Sequence, residues 1–215
     1  MPDPAAELSR LPAWCRYTKD PNKSGAWSGP DVAKAERLVA RSGTAGMRVD
    51  VWEPPPGVFP VGLGRYFENL LNTLGFDARL RQTQSATAYF EYVADSGNEV
   101  QIGPYGWIID YPVPSNFFLQ QFRCSAFTRN DRLNVNVSAF CDLSVDRMIA
   151  SALKTQGVDP GASVEEWAAI DRAIMERAPV VPMISQSTVR FVSDRVANAV
   201  LHPIWGLLLD QLWVR

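Results

Sequence analysis

The chain has 215 residues, with 21 Lys+Arg against 23 Asp+Glu and a formal net charge of −2. That balance excludes the clustered basic excess of a nucleic-acid binder, and 47% hydrophobic against 20% charged residues excludes a disordered chain. No apolar run approaches the roughly 18–20 residues of a membrane span, and the single histidine, His202, argues against Ser-His or Cys-His mechanisms and most zinc sites.

At the start, Met1-Pro2-Asp3-Pro4 lacks the basic and apolar regions of a signal peptide. Read literally, this places the protein inside the cell. Leu11 to Pro30 is rich in proline and glycine and carries Trp14, Tyr17 and Trp27. Rings in such a loop are expected to pack, either on their own domain or on a part outside this chain.

From Pro30 the pattern becomes regular. Val32, Ala35, Leu38 and Val39 predict a helix over 31–42, with Pro30 in its first turn and Gly43 just past its end. Met47 to Trp52 alternates as a strand and is broken by Pro54-Pro55-Pro56-Gly57. Leu63, Tyr66, Phe67, Leu70, Leu71 and Leu74 mark the strongest helix, closed by Gly75. Asp77–Arg81 reads as a strand, Ala86–Val93 as a helix ending near Gly97, and Glu99–Gly103 as a third strand. The alternation implies an α/β layer architecture with a partly parallel sheet.

The second half is more helical. Ser115 is expected to cap a helix running to Phe122, and Ser144 a second with Val145, Met148, Ile149 and Ala152 inward. Ser163 and Glu166 form a capping-box pattern ahead of Trp167, Ile170 and Ile174. Val180–Ile184 and Val189–Val192 read as strands. The apolar final stretch from Leu201 to Arg215 is expected to dock against another surface.

No Walker loop, GxSxG, HExxH or CxxC pair is present, so neither an enzyme activity nor a cofactor is expected. Gly62-Leu63-Gly64 opens a helix but lacks the remaining features of a nucleotide loop. The informative stretch is Gly103 to Phe118, which places Tyr105, Trp107, Asp110 and Tyr111 in a turn-rich loop between a strand and a helix. In open α/β sheets ligands bind beyond the carboxyl ends of strands. The alternative is a core tryptophan followed by a capping turn, with Asp110 bonding its own backbone.

The run Gly106-Trp107-Ile108-Ile109-Asp110-Tyr111-Pro112-Val113-Pro114 resembles the Gly-Trp-x-x-Asp-Tyr-x-x-Pro signature of family 5 extracellular solute-binding proteins, the peptide and nickel receptors of ABC importers. Gly29 to Ala35, Leu74-Gly75-Phe76, Asn136 to Asp142 ahead of a helix led by Asp146, and Ala178 to Met183 resemble further family segments in the same order. The resemblance runs from about residue 15 to the end.

The resemblance implies a periplasmic-binding-protein-like second lobe, a mixed sheet with flanking helices, over residues 31–183. It implies hinge or first-lobe segments over 1–30 and 184–215. It also implies that the chain is the C-terminal part of a longer, two-lobed receptor located in the periplasm or at the cell surface. The expected partners are a small solute, most readily a peptide, the absent N-terminal lobe and an ABC permease. Asp110 would pair with the ligand's ammonium and Trp107 would form a flat wall, with Tyr105 and Tyr111 beside them. Where this sequence has Val113, many relatives carry Asp. Some relatives carry a disulfide in the region of Cys124 and Cys141, which leaves Cys15 over; three reduced cysteines are the alternative. A second reading is an interaction or sensor module that keeps the fold without transport.

Overall fold

The computed structural model describes residues 18–19, 28–184, 190–202 and 204–215. The chain divides into two compact units, residues 1–105 and 106–215. Cys15 and the aromatic residues Trp14, Tyr17 and Trp27 lie outside the described residues.

In the first unit, β1 (Thr18–Lys19) pairs antiparallel with β2 (Gly29–Pro30). Pro30 therefore belongs to this short ribbon and not to the following helix. α1 (Val32–Ser42) starts instead at Asp31, whose carboxylate accepts the Lys34 N–H at 3.0 Å, and stops at Gly43 with φ 75°. β3 (Arg48–Glu53) and β4 (Asp77–Gln82) run parallel, with Arg48 opposite Asp77 and Glu53 opposite Gln82. α2 (Leu63–Thr73) makes the crossover that parallel strands require.

The outer edges of this two-stranded sheet are closed largely by side chains. On the β4 side, Asn72 of α2 donates to the Ala78 carbonyl at 3.2 Å and accepts the Ala78 N–H at 2.8 Å. Glu68 of the same helix accepts the Leu80 N–H at 2.9 Å. On the β3 side, the Gln101 amide accepts the Asp50 N–H at 2.8 Å and donates to the Arg48 carbonyl at 3.3 Å. Only Ile102 pairs through its backbone, as a parallel bridge to Val51. The strand expected over Glu99–Gly103 is thus reduced to one bridge, because a side-chain amide already satisfies the backbone groups it would have paired.

The opening of α2 shows the same device. The Gly64 N–H donates to Glu53 Oε2 at 3.0 Å, so the anion at this helix start is the chain's own carboxylate. A β-carbon at Gly64 would come within 2.3 Å of that oxygen and 2.6 Å of Leu80 Cδ1, which is why a glycine stands there.

α3 (Ala86–Ala94) is capped by Ser85, whose hydroxyl accepts the Ala88 N–H at 3.1 Å. It buries Tyr89, Val93 and Ala94, and the two strands bury Val49, Val51 and Ala78. A 3-10 turn (Ser96–Asn98) follows.

The second unit is built on α4 (Pro114–Phe122), α5 (Leu143–Val158) and α6 (Val164–Arg177). Phe118 and Phe122 of α4, Val145, Ile149 and Ala152 of α5, and Trp167, Ile170 and Ile174 of α6 form one buried cluster. Phe118 stacks on Trp167 with ring centroids 5.7 Å apart. The inward residues expected from helical spacing on α5 and α6 are found there, except that Met148 is only partly buried.

The helix starts differ from expectation by a residue or two. Val113, not Ser115, precedes α4, with Pro114 at the first helical position and no side-chain cap. Asp142, not Ser144 or Asp146, caps α5, accepting the N–H groups of Ser144 at 2.7 Å and Val145 at 3.3 Å. A carboxylate nearer the helix start outcompetes a hydroxyl inside it. The Asp146 carboxylate instead accepts the Cys124 N–H at 3.2 Å. The capping box at Ser163 does not form: the Ser163 hydroxyl donates to the Pro160 carbonyl at 2.7 Å, and Glu166 accepts the Thr155 hydroxyl at 2.6 Å.

Cys124 and Cys141 are joined by a disulfide spanning 17 residues of sequence. Inside that loop Asn136 is fully buried and bonds the Arg123 and Phe140 carbonyls at 3.2 and 2.8 Å, which folds the loop back on itself.

Residues 180–184 and 190–192 are not strands, and Val189 lies outside the described residues. Within the first of these segments Pro182 removes an N–H group that a ladder would need. The final stretch forms two short antiparallel pairs instead. β5 (Val196–Ala197) pairs with β8 (Trp213–Val214), and β6 (Leu201–His202) pairs with β7 (Gly206–Leu207). Trp205, Leu209, Trp213 and Val214 are exposed there.

Candidate ligand-binding site

The loop singled out from sequence is divided between the two units at Tyr105 and Gly106. In the first unit, the fully buried Tyr89 donates its hydroxyl to the Pro104 carbonyl at 2.8 Å. That bond anchors the chain where it leaves the Val51–Ile102 bridge. Burial, and then the neighbouring Glu53 carboxylate, push the Tyr89 phenol well above its ordinary range. Tyr105 packs edge-on against Phe90, with ring centroids 5.9 Å apart, and burial raises its phenol as well. A small cavity of about 80 Å³ lies on this unit at the carboxyl ends of the two strands, with Glu53, Phe59, Gln82 and Pro104 in its lining.

In the second unit, Trp107 and Asp110 are brought together by Asn116, which lies in the first turn of α4 and is 1% exposed. The Asn116 Oδ1 accepts two hydrogen bonds, from Trp107 Nε1–H at 3.0 Å and from the Asp110 backbone N–H at 3.0 Å. Its Nδ2 donates to Asp110 Oδ2 at 3.0 Å. The Asp110 carboxylate is thus held by a side chain six residues on, not by the backbone of its own turn. Asp110 itself is exposed, and Trp107 is half-buried outside the core cluster. Among the described residues no Lys or Arg pairs with Asp110.

Tyr111 is 45% exposed, and its carbonyl accepts the Val113 N–H at 2.9 Å, which turns the loop into α4. Ile108 is 87% exposed. Of the four residues expected at the site, the structure links Trp107 and Asp110, sets Tyr111 beside Asp110 in sequence with its ring exposed, and places Tyr105 on the other unit.

Asn116 was not among the expected site residues. Its signal is a polar side chain one helical turn before Leu119, which packs against the core. A polar residue on that side of a helix must find partners. Among the described residues, no group of three or more His, Cys, Asp or Glu side chains is placed to hold a metal ion. No described helix is long and apolar enough to cross a membrane.

No protein-family model matches the chain, and no curated protein matches it by sequence. Solved structures do match. The clavulanic acid biosynthesis oligopeptide binding protein 2 is similar with a TM-score of 0.75 at 23% identity, over 86% of this chain and 34% of that one. A dipeptide binding protein from Pseudoalteromonas sp. SM9913, in complex with Met-Leu, gives a TM-score of 0.68 at 19% identity, over 85% of this chain and 35% of that one. The ABC transporter-associated periplasmic binding protein DppA from Helicobacter pylori, in complex with the peptide STSA, gives 0.61 at 15% identity, over 82% and 37%. The chain thus spans about a third of the length of each of these proteins. Its mixed α/β fold, with six α-helices and small sheets among the described residues, resembles part of the family 5 peptide and nickel solute-binding proteins.

Proposed function

We propose that this chain supplies one wall of a solute-binding cleft, with Asp110 as the anchor for the ammonium of a peptide. The observation that carries the reading is the Trp107–Asn116–Asp110 cluster. It presents a carboxylate that has no cationic partner among the described residues, beside an indole whose direction is fixed by the same asparagine. A carboxylate and a primary ammonium form a charge-assisted hydrogen bond, and a tryptophan face adds attraction for a cation. The likeness to peptide-binding receptors supports the same assignment.

In such a receptor a second lobe closes over the solute and excludes water, and the closed form engages an ABC permease. Support for a second lobe comes from length, since the matched receptors carry much more chain than this one covers. The exposed Trp205, Leu209 and Trp213 supply apolar surface of the kind that docks. On this reading residues 31–183 form the ligand lobe, and 1–30 and 184–215 belong with its partner.

With one wall only, Asp110 meets its ligand in water. An exposed ion pair contributes up to about 1 kcal/mol, or roughly a fivefold change in affinity. Binding of Met-Leu by the chain is therefore expected to be weak, in the millimolar range, and measurable by NMR titration. Asp110→Ala should weaken it about fivefold. Micromolar binding that Asp110→Ala leaves unchanged would overturn the reading.

A further inference from the structure

We propose that Asn116 is the positioning residue that makes this site selective for a primary ammonium; the inference rests on Asp110 being the ligand's anchor. The geometry allows one orientation of the Asn116 amide. Its Oδ1 takes two N–H donors and its Nδ2 faces a carboxylate oxygen, each at 3.0 Å. Turning the amide over would set N–H against N–H twice and oxygen against oxygen once. Asn116 is 1% exposed, so its own amide cannot turn to water.

Three consequences follow for the ligand. Asp110 is held through Oδ2 alone, and among the described residues no hydrogen bond engages its Oδ1. The holding group is a neutral amide, so it brings no countercharge to the carboxylate, where an Arg or Lys would have. Finally, the indole and the carboxylate are tied to one side chain, so the ring wall and the charge keep a constant separation. A ligand that offers a cationic N–H donor beside an apolar group fits this arrangement, and one with a capped, neutral amide does not.

The test uses the full chain, with Met-Leu and N-acetyl-Met-Leu as probes in parallel NMR titrations. The parent is expected to prefer the free amine at least fivefold. Asn116→Ala should bring the two affinities within twofold and move the Trp107 indole N–H resonance. Asn116→Asp retains an acceptor for Trp107 and for the Asp110 N–H, but sets two carboxylates against each other. Like charges at that distance repel. The repulsion should displace the Asp110 carboxylate, so the free-amine preference of this variant should also fall within twofold, with the Trp107 indole N–H resonance left in place. A merely structural asparagine would leave the preference unchanged in a variant that folds.

Retention of the fivefold preference in Asn116→Ala would overturn the assignment of Asn116 while leaving Asp110 as the anchor. So would retention of that preference in a folded Asn116→Asp. A parent that does not discriminate the two probes would overturn the anchor itself. If Asn116→Ala does not fold, by far-UV circular dichroism, the free-amine preference of Asn116→Asp decides alone.

Discussion

The Tyr89 hydroxyl and Gly103 occupy one another's space: a β-carbon at Gly103 would lie 2.5 Å from the phenol oxygen, which donates to the Pro104 carbonyl at 2.8 Å. The next nearest atoms, the Trp52 carbonyl oxygen and Val93 Cγ1, are at an ordinary 3.5 Å. The chain passes the carboxyl end of β3 this closely only because residue 103 has no side chain. Tyr89→Phe should cost about 1 kcal/mol for the lost hydrogen bond, and Gly103→Ala should cost more. Because the obstacle is the hydroxyl, the double variant should be more stable than the sum of the single changes predicts, a coupling that urea denaturation of all four proteins measures. Additive losses would contradict the geometry.

The Cys124–Cys141 bridge closes a loop of 17 residues between the end of α4 and the start of α5. On the chain-entropy account a loop of that size stabilises by about 3 kcal/mol. Cys124→Ser with Cys141→Ser should lower the urea midpoint by the corresponding amount, and reductant should do the same to the parent. A midpoint insensitive to reductant would argue that the two thiols are not joined.

Asp142 accepts from the Ser144 hydroxyl and N–H, and from Arg177 and the Val145 N–H, which hold its carboxyl down at about 2, from an ordinary 3.8. A depressed carboxyl contributes fully above its unfolded value and loses that contribution as pH falls towards the folded value. Asp142→Asn keeps an acceptor oxygen but not the charge that faces Arg177. The parent should melt at a higher temperature than the variant at pH 6, and the gap should narrow as pH falls from about 4 to about 2. A gap that stays constant across that range would show that the charge contributes nothing.

Much of this fold is legible from helical and strand spacing. The Val145, Ile149, Ala152 stripe gives α5 with its correct inward face, because burial is contiguous along one helical side; Leu63 to Leu74 gives α2 as a helix, but there Gly64 is buried and Tyr66 is 54% exposed. What spacing does not show is which group satisfies an edge. Gln101 has no hydrophobic signature, yet its amide pairs with Arg48 and Asp50 where a strand was expected. The same holds at helix starts: Ser144 is the expected cap of α5, and Asp142, two residues earlier, takes that role. At the candidate site the indole and the acid are visible as a motif, and the asparagine joining them is not. Its role is a hydrogen-bond geometry across six and nine residues, which apolar periodicity does not reveal. The loop is also divided at Tyr105 and Gly106, so Tyr105 and Trp107 are near neighbours in the chain that belong to different units.

The central claim is that Asp110 offers its charge to a ligand ammonium. The most direct measurement is a 1H–15N titration of the isotopically labelled chain with Met-Leu and, separately, with N-acetyl-Met-Leu. The free dipeptide should shift the Asp110 amide, the Trp107 indole N–H and the Asn116 side-chain amide together, and the acetylated form should leave them in place. Equal shifts from both compounds, or none at these three groups, would contradict the account.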